Sequence, residues 1–207
     1  TSESNIFLSY TLSNTLSGYG NGKRVELTRT NCIDCGDSSN NTELTLPAHF
    51  GTHMDFPYHF DDLGKLGENY PASFFIFNNT QLINIEMSSN ETILIDESHF
   101  KDINLNANTE LLIIKTNFCH YREQECYWKS GPGFQPEVAK FLKKKMPDLR
   151  VVGFDFISIT SYQHRALGKV AHKAFLIEED LLVIEDMDLR QLKMSSKIEK
   201  TIVSPLR

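Results

Sequence analysis

No run of this sequence is apolar for long enough to cross a membrane, which takes about eighteen consecutive residues or more, and the opening TSESNIFLSY lacks the basic start and long apolar core of a secretory leader. Positive charge is also scarce. Against 27 Asp and Glu there are 21 Lys and Arg, a formal net charge of -6, and the short run Lys143-Lys144-Lys145 is not the basic stripe that nucleic acid requires. Four cysteines, Cys32, Cys35, Cys119 and Cys126, are too few to build a chain of 207 residues on disulfides. Cys32-Ile-Asp-Cys35 has the CxxC form, but no strand-to-helix transition marks it as a redox motif, and free thiols are the expectation. There is one tryptophan, Trp128, and no internal repeat, low-complexity tract or Pro/Ser-rich linker. The reading is a soluble, cytoplasmic protein with neither nucleic acid nor membrane as partner.

What is present suits one folded unit. A hydrophobic content of 40% with 23% charged residues is ordinary for a globular protein, and the length is near that of one domain, here residues 1–207. Alternating runs after the turn-forming Gly20-Asn21-Gly22 predict strands at Val25–Thr28, Glu43–Leu46, Leu82–Ile85 and Thr92–Ile95, each with one covered face. Glu110–Lys115 and Val151–Phe156 read as buried strands. Between them a helix starts near Gln135-Pro136-Glu137, with proline and glutamate suited to its first turn and Val138, Phe141, Leu142 and Met146 along one apolar stripe. Its lysines 143 to 145 fall at the C-terminal end, where they favour the dipole and face water. A short helix at Ala171–Phe175 and a strand at Leu181–Ile184 complete a mixed α/β chain.

The chemistry is crowded into HFGTHMDFPYHF, His49 to Phe60. Histidines, glycine, aspartate and proline hold the odd positions, and Phe50, Met54, Phe56, Tyr58 and Phe60 stand at even ones, so an extended backbone would separate a polar face from a packing face. A straight strand would nevertheless leave His49 and His53 about 13 Å apart at about 3.3 Å per residue. Two imidazoles on one metal must each bring a nitrogen to about 2.0–2.1 Å from it. The chain must therefore bend, and Gly51 is the natural place for an unusual backbone angle, while Pro57 ends regular pairing. With that bend, His49, His53 and Asp55 converge as ligands.

This segment matches, position by position, the signature His-x-Gly-Thr-His-x-Asp-x-Pro-x-His of the cyclase-like metal-dependent hydrolases, the family of bacterial kynurenine formamidase (arylformamidase) and isatin hydrolase. The resemblance runs from about residue 6 to about residue 190, through IFLSYTLS, LLIIKTNF, GPGFQPEVAKFL, VGFDFISI and GKVAHKAFLIEEDLLVIEDMDL. It implies a mixed, barrel-like β-sheet core with peripheral helices, of the swivelling β/β/α type, and a homodimer or higher homo-oligomer. It also implies site roles: His49 and His53 as metal ligands, Asp55 as a bridging ligand, His172 and Glu185 as the remaining ligands, and His59 as general acid/base. The cofactor would be zinc or manganese, one or two ions per chain. Asp155 and Ser158 match the family's Asp-x-x-Ser block, as hydrogen-bond supports of the site, whereas His99, His120 and His164 have no spacing that ties them to it and read as surface or structural residues.

A divalent ion lowers the pKa of a bound water from 15.7 towards about 7 and polarises a carbonyl, which is what amide hydrolysis needs, and histidine can return the proton to a leaving nitrogen near neutrality. No Gly-x-Ser-x-Gly elbow offers a rival nucleophile. The expected substrate is a small amide such as an arylformamide. A cyclic amide or lactone of the isatin-hydrolase type is the alternative within the class, and a metal- or ligand-binding module without turnover is the alternative outside it. Phe56, Tyr58, Phe60, Tyr70, Phe74, Phe75, Tyr127 and Trp128 are candidates to line a pocket for a planar ligand. The formamidases carry a substrate-binding tryptophan near the N-terminus, which this sequence does not.

Overall fold

A strand covered on both faces reads as a near-continuous apolar run, and three runs of this chain do so, two of them closing on a charged residue, Lys115 or Glu185. In the computed structural model, which describes residues 5–88 and 92–206, Leu111–Lys115, Val151–Phe154 and Leu182–Glu185 are buried along their whole length. Eleven strands lie among the described residues: β1 Glu26–Asn31, β2 Asn41–Thr45, β3 His53–Asp55, β4 Ile76–Phe77, β5 Thr80–Asn84, β6 Leu94–Ile95, β7 Leu111–Lys115, β8 Gly133–Phe134, β9 Val151–Phe154, β10 Leu182–Glu185 and β11 Thr201–Ile202. The α-helices are α1 Glu125–Lys129, α2 Glu137–Lys145 and α3 Arg165–Lys173. No helix among the described residues is long and apolar enough to cross a membrane.

The core is a five-stranded mixed sheet in the order β3-β10-β9-β7-β5. β5, β7, β9 and β10 run parallel, and β3 pairs antiparallel with β10 at one edge, in a register that sets His53 opposite Glu185. Three further two-stranded sheets join β1 with β2, β4 with β11 and β6 with β8. The mixed α/β architecture expected from the sequence is the one observed. α2 follows its expected course, with Val138, Leu142 and Met146 fully buried and Phe141 at the margin of the core.

Three local expectations need correction. The ribbon β1–β2 has no covered face: Glu26 to Thr30 and Asn41 to Thr45 are all exposed, and the cross-strand pair Leu27 and Leu44 remains 44% and 48% accessible. Alternation shows that a strand is two-faced, but not that a layer lies over it. Cys32 and Cys35 are joined in a disulfide, not free, because the 3₁₀ turn Ile33–Cys35 brings their Cα atoms to 5.0 Å, inside disulfide range; Cys119 and Cys126 are free.

The third correction concerns α3, which starts at Arg165, well before the expected Ala171, and runs on into a π-helical turn, Ala174–Glu178. It opens Arg165-Ala166-Leu167-Gly168, and Gly168 is a poor helix former. Here the glycine is needed for space, since a Cβ at residue 168 would collide with the side chain of Thr160. Alanine there improves helix propensity by about 1 kcal/mol and overpacks a buried contact at a cost of about 1–3 kcal/mol. Gly168→Ala is therefore expected to lower the urea midpoint; a raised midpoint would show that Thr160 yields freely.

Candidate metal centre

Gly51 has φ 69°, a conformation that residues with a Cβ rarely adopt, and it turns the chain between the first two signature histidines. His49 Nδ1 and His53 Nε2 are consequently 3.1 Å apart. His53 opens β3 and Asp55 closes it, so the pleat points both to one face of the sheet edge. Pro57 then starts the 3₁₀ turn Pro57–His59, which brings the His59 ring to 4.0 Å, centroid to centroid, from that of His49. Glu185 arrives from β10, directly opposite His53, and His172 from the last turn of α3.

The six side chains named from the sequence thus meet in one place. His53 Nε2 is 3.4 Å from Asp55 Oδ1 and 3.5 Å from Glu185 Oε2. His172 Nε2 is 3.6 Å from Asp55 Oδ2 and 3.4 Å from Glu185 Oε1. His49 Nδ1 is 2.9 Å from Asp55 Oδ1. Donor atoms of His49, Asp55 and His59 lie within 4.8 Å of one another, as do those of His53, Asp55 and Glu185, so Asp55 is common to two groups that could each hold an ion. Asp55, His172 and Glu185 are buried, His53 is half-buried, and His49 and His59 form the solvent side.

Neighbouring groups hold these side chains in orientation. The Gly51 carbonyl oxygen is 2.8 Å from His53 Nδ1, and the Gly168 carbonyl oxygen is 2.9 Å from His172 Nδ1, with Thr160 Oγ1 at 3.0 Å. Each carbonyl accepts the Nδ1 proton and leaves the Nε2 lone pair of the neutral ring facing the carboxylates, the arrangement typical of metal-binding histidine. The Ile159 N–H and the Ser158 hydroxyl donate to Glu185 Oε1 at 2.7 and 3.1 Å. Both oxygens of Asp55 are buried and neither accepts a well-directed hydrogen bond, although imidazole nitrogens surround them.

Electrostatics bind this cluster together. Burial alone would depress the two inner histidines, but the Asp55 and Glu185 carboxylates outweigh it and raise His53 to about 9 and His172 to about 10. Burial would raise Asp55, yet His172, His49 and His53 hold it well below the usual carboxylate range. His59 is lowered from 6.5, first by the protein packed against its inner face and then by the neighbouring charges of His49 and His172, against the pull of Asp55. A divalent cation fits this donor set. Imidazole and carboxylate ligands suit zinc and manganese, and an unsatisfied buried carboxylate between two donor groups is what a shared ion would complete.

Other sequence expectations are distributed differently. Ser158 supports Glu185, whereas Asp155 accepts from the Thr116 N–H and hydroxyl at 2.8 and 2.6 Å. Among the eight candidate pocket aromatics, Phe60 stacks on His172 at 4.7 Å. Phe56, Tyr70, Phe74 and Phe75 instead pack on one another, Tyr127 is fully buried, and Trp128 meets Tyr162 at 5.3 Å. His99 caps a turn with Asp96. Thr160 and the Ile159 N–H were not foreseen, because nothing in a lone sequence announces which hydroxyl or amide will face His172 or Glu185.

Comparison with known proteins agrees with this geometry. A family model described as "Putative cyclase" matches residues 6–161. Cyclase-like protein 2 of Oryza sativa subsp. japonica is 28% identical over 172 residues, covering 74% of this chain and 56% of its own. Kynurenine formamidase of Geobacillus thermodenitrificans (strain NG80-2) is 31% identical over 132 residues, 64% of this chain and 58% of its own, so the chain spans little more than half the length of either relative. The structure of isatin hydrolase A from Labrenzia aggregata superposes with a TM-score of 0.73 at 17% identity, over 96% of this chain and 90% of that one, a likeness of fold. With its signature segment folded into a cluster of four histidines and two carboxylates on this architecture, the chain belongs to the cyclase family.

Proposed function

We propose that the protein is a metal-dependent hydrolase of a small amide C–N bond, arylformamidase-like, with His49, His53, Asp55, His172 and Glu185 holding one or two zinc or manganese ions and His59 transferring the proton. The observation that carries this reading is Asp55, buried and without a directed hydrogen bond between two sets of donors. A divalent cation held there supplies Lewis acidity towards a carbonyl and acidifies water.

The chain's own residues do the rest. His59 stands on the solvent side, and its lowered pKa keeps the ring neutral near pH 7, ready to accept a proton from attacking water and return it to the leaving nitrogen. Phe60, stacked on His172, shields that ring from solvent on one face. Ser158 and the Ile159 N–H fix Glu185. A second reading, hydrolysis of a cyclic amide or lactone, draws support from the single tryptophan: Trp128 lies beside Tyr162, and no tryptophan occurs in the N-terminal segment.

The test is a turnover assay of metal-loaded protein on N-formyl arylamines and isatin-like lactams, with and without chelator. Chelator-sensitive hydrolysis of at least one class is expected, and full metal occupancy with no turnover of either would leave a binding module. In the same assay His59→Ala should keep its metal and lose about 10²–10⁴-fold in kcat, the usual contribution of a general acid–base. Asp55→Ala should lose the metal itself. If His59→Ala also loses it, His59 is a ligand, the role its place near His49 and Asp55 would then explain.

The histidine shifts also give a pH dependence. His53 and His172 have folded-state values above the unfolded 6.5, so in metal-free protein their pairing with Asp55 and Glu185 stabilises fully below about pH 6.5 and is lost as pH rises through about 9 and about 10. Metal must displace those protons. Thermal melts should therefore show the metal-free midpoint falling from pH 6.5 to 10 while the increment from added zinc grows; an increment that is flat across this range would detach the two histidines from metal binding.

A further inference from the structure

The pair Arg122–Asp186 takes no part in the chemistry proposed above, yet it sits where the two ligand-bearing strands end. Both side chains are 2% exposed, and Arg122 Nη2 donates to Asp186 Oδ2 at 2.7 Å. Tyr127 Oη donates to the other oxygen, Oδ1, at 2.6 Å. The guanidinium lies 4.9 Å from the Tyr127 ring and 5.3 Å from the Tyr10 ring, while its Nε and Nη1 have no hydrogen-bond partner. Burying two charges commonly costs more than their attraction returns, and well-packed apolar side chains in their place are often as stable or more so. Stability is therefore a poor reason for this pair, and its backbone consequences supply a better one.

Asp186 has φ 56°, in the left-handed region that costs any residue with a Cβ. Its N–H donates to the Phe156 carbonyl at 2.9 Å, and its carbonyl accepts the Thr52 hydroxyl at 2.5 Å. Thr52 Oγ1 in turn accepts the Tyr10 N–H at 3.0 Å. Glu185 immediately precedes Asp186, His53 immediately follows Thr52, and the two ligands face each other across β3 and β10. The turn at Asp186 is thus the fastener at the open end of that pairing.

We infer that Arg122, Asp186 and Tyr127 are positioning residues: by holding Asp186 in its left-handed turn and Thr52 against it, they set Glu185 and His53 at the separation a shared metal ion requires. The claim rests on the metal-centre reading and adds to it a buried device that joins the chain next to the ligands, at Asp186 beside Glu185 and at Thr52 beside His53. Removing one charge alone would orphan the other, so the informative variant is Arg122→Met with Asp186→Asn, which deletes both charges and keeps a residue tolerant of positive φ. Asn retains an acceptor for Tyr127.

The experiment is calorimetric titration of wild type and the double variant with zinc and with manganese, alongside thermal melts. The folded double variant is expected to bind about tenfold or more weakly at unchanged stoichiometry, the loss typical when supports of metal ligands are removed. Wild-type affinity in a folded double variant, or a lowered melting point with affinity unchanged, overturns the inference. Should the double variant fail to fold, Tyr127→Phe removes only the hydroxyl; a severalfold weaker affinity is expected and an unchanged one overturns the inference. Should the wild type bind neither metal, the hydrolase reading fails separately. Hydrogen exchange then decides the positioning claim: faster exchange confined to residues 52–55 and 183–187 supports it, and equal protection in variant and wild type overturns it.

Discussion

Asp55 is the constraint on which the site depends. A carboxylate removed from water ordinarily finds hydrogen-bond donors, yet both of its oxygens lack a directed partner while the nitrogens of His49, His53 and His172 stand within 3.6 Å. The neighbourhood attracts the charge without satisfying its lone pairs. In the absence of a cation, protons on His53 and His172 balance the charge, which is why both imidazoles are raised. A divalent ion held by these residues would balance that charge in place of the protons.

The fold supplies this constraint by bringing together three separate pieces of chain. The parallel strands β7, β9 and β10 are buried and, but for Lys115 and Glu185 at two strand ends, apolar, and they form a rigid platform whose edge is completed by the short antiparallel β3. That pairing places His53 opposite Glu185. α3 delivers His172 only because Gly168 permits the helix to press against Thr160, whose hydroxyl lies beside the histidine it helps to orient. The clamp at Asp186 closes the same edge from the other side. Packing and polar bonding are thus arranged around a few residues at one margin of the sheet.

How much of this was legible in the sequence depended on how local the cause was. His49, His53, Asp55 and His59 could be named together because they lie in one segment, and Gly51 and Pro57 disclosed the bend that gathers them. Buried strands were visible as unbroken apolar runs. His172 and Glu185 came from resemblance, since their approach depends on sheet register and on a helix whose early glycine hid its true start. The bare ribbon β1–β2 and the Cys32–Cys35 disulfide were misread for a related reason: an alternating pattern says nothing about what lies above it, and a CxxC spacing says nothing about the turn that closes it. Thr160, Ile159 and the Arg122–Asp186 pair left no local trace because each acts on a partner distant in the chain.

The most direct measurement is anomalous X-ray diffraction from crystals grown with zinc or manganese, collected on both sides of the metal absorption edge. The expected result is a peak at bonding distance from Asp55 and His53, about 2.0–2.2 Å for zinc, with any second peak also sharing Asp55. Crystals in which the metal is present in solution but no peak forms at Asp55, or in which the peak lies on other residues, would contradict the account at its root.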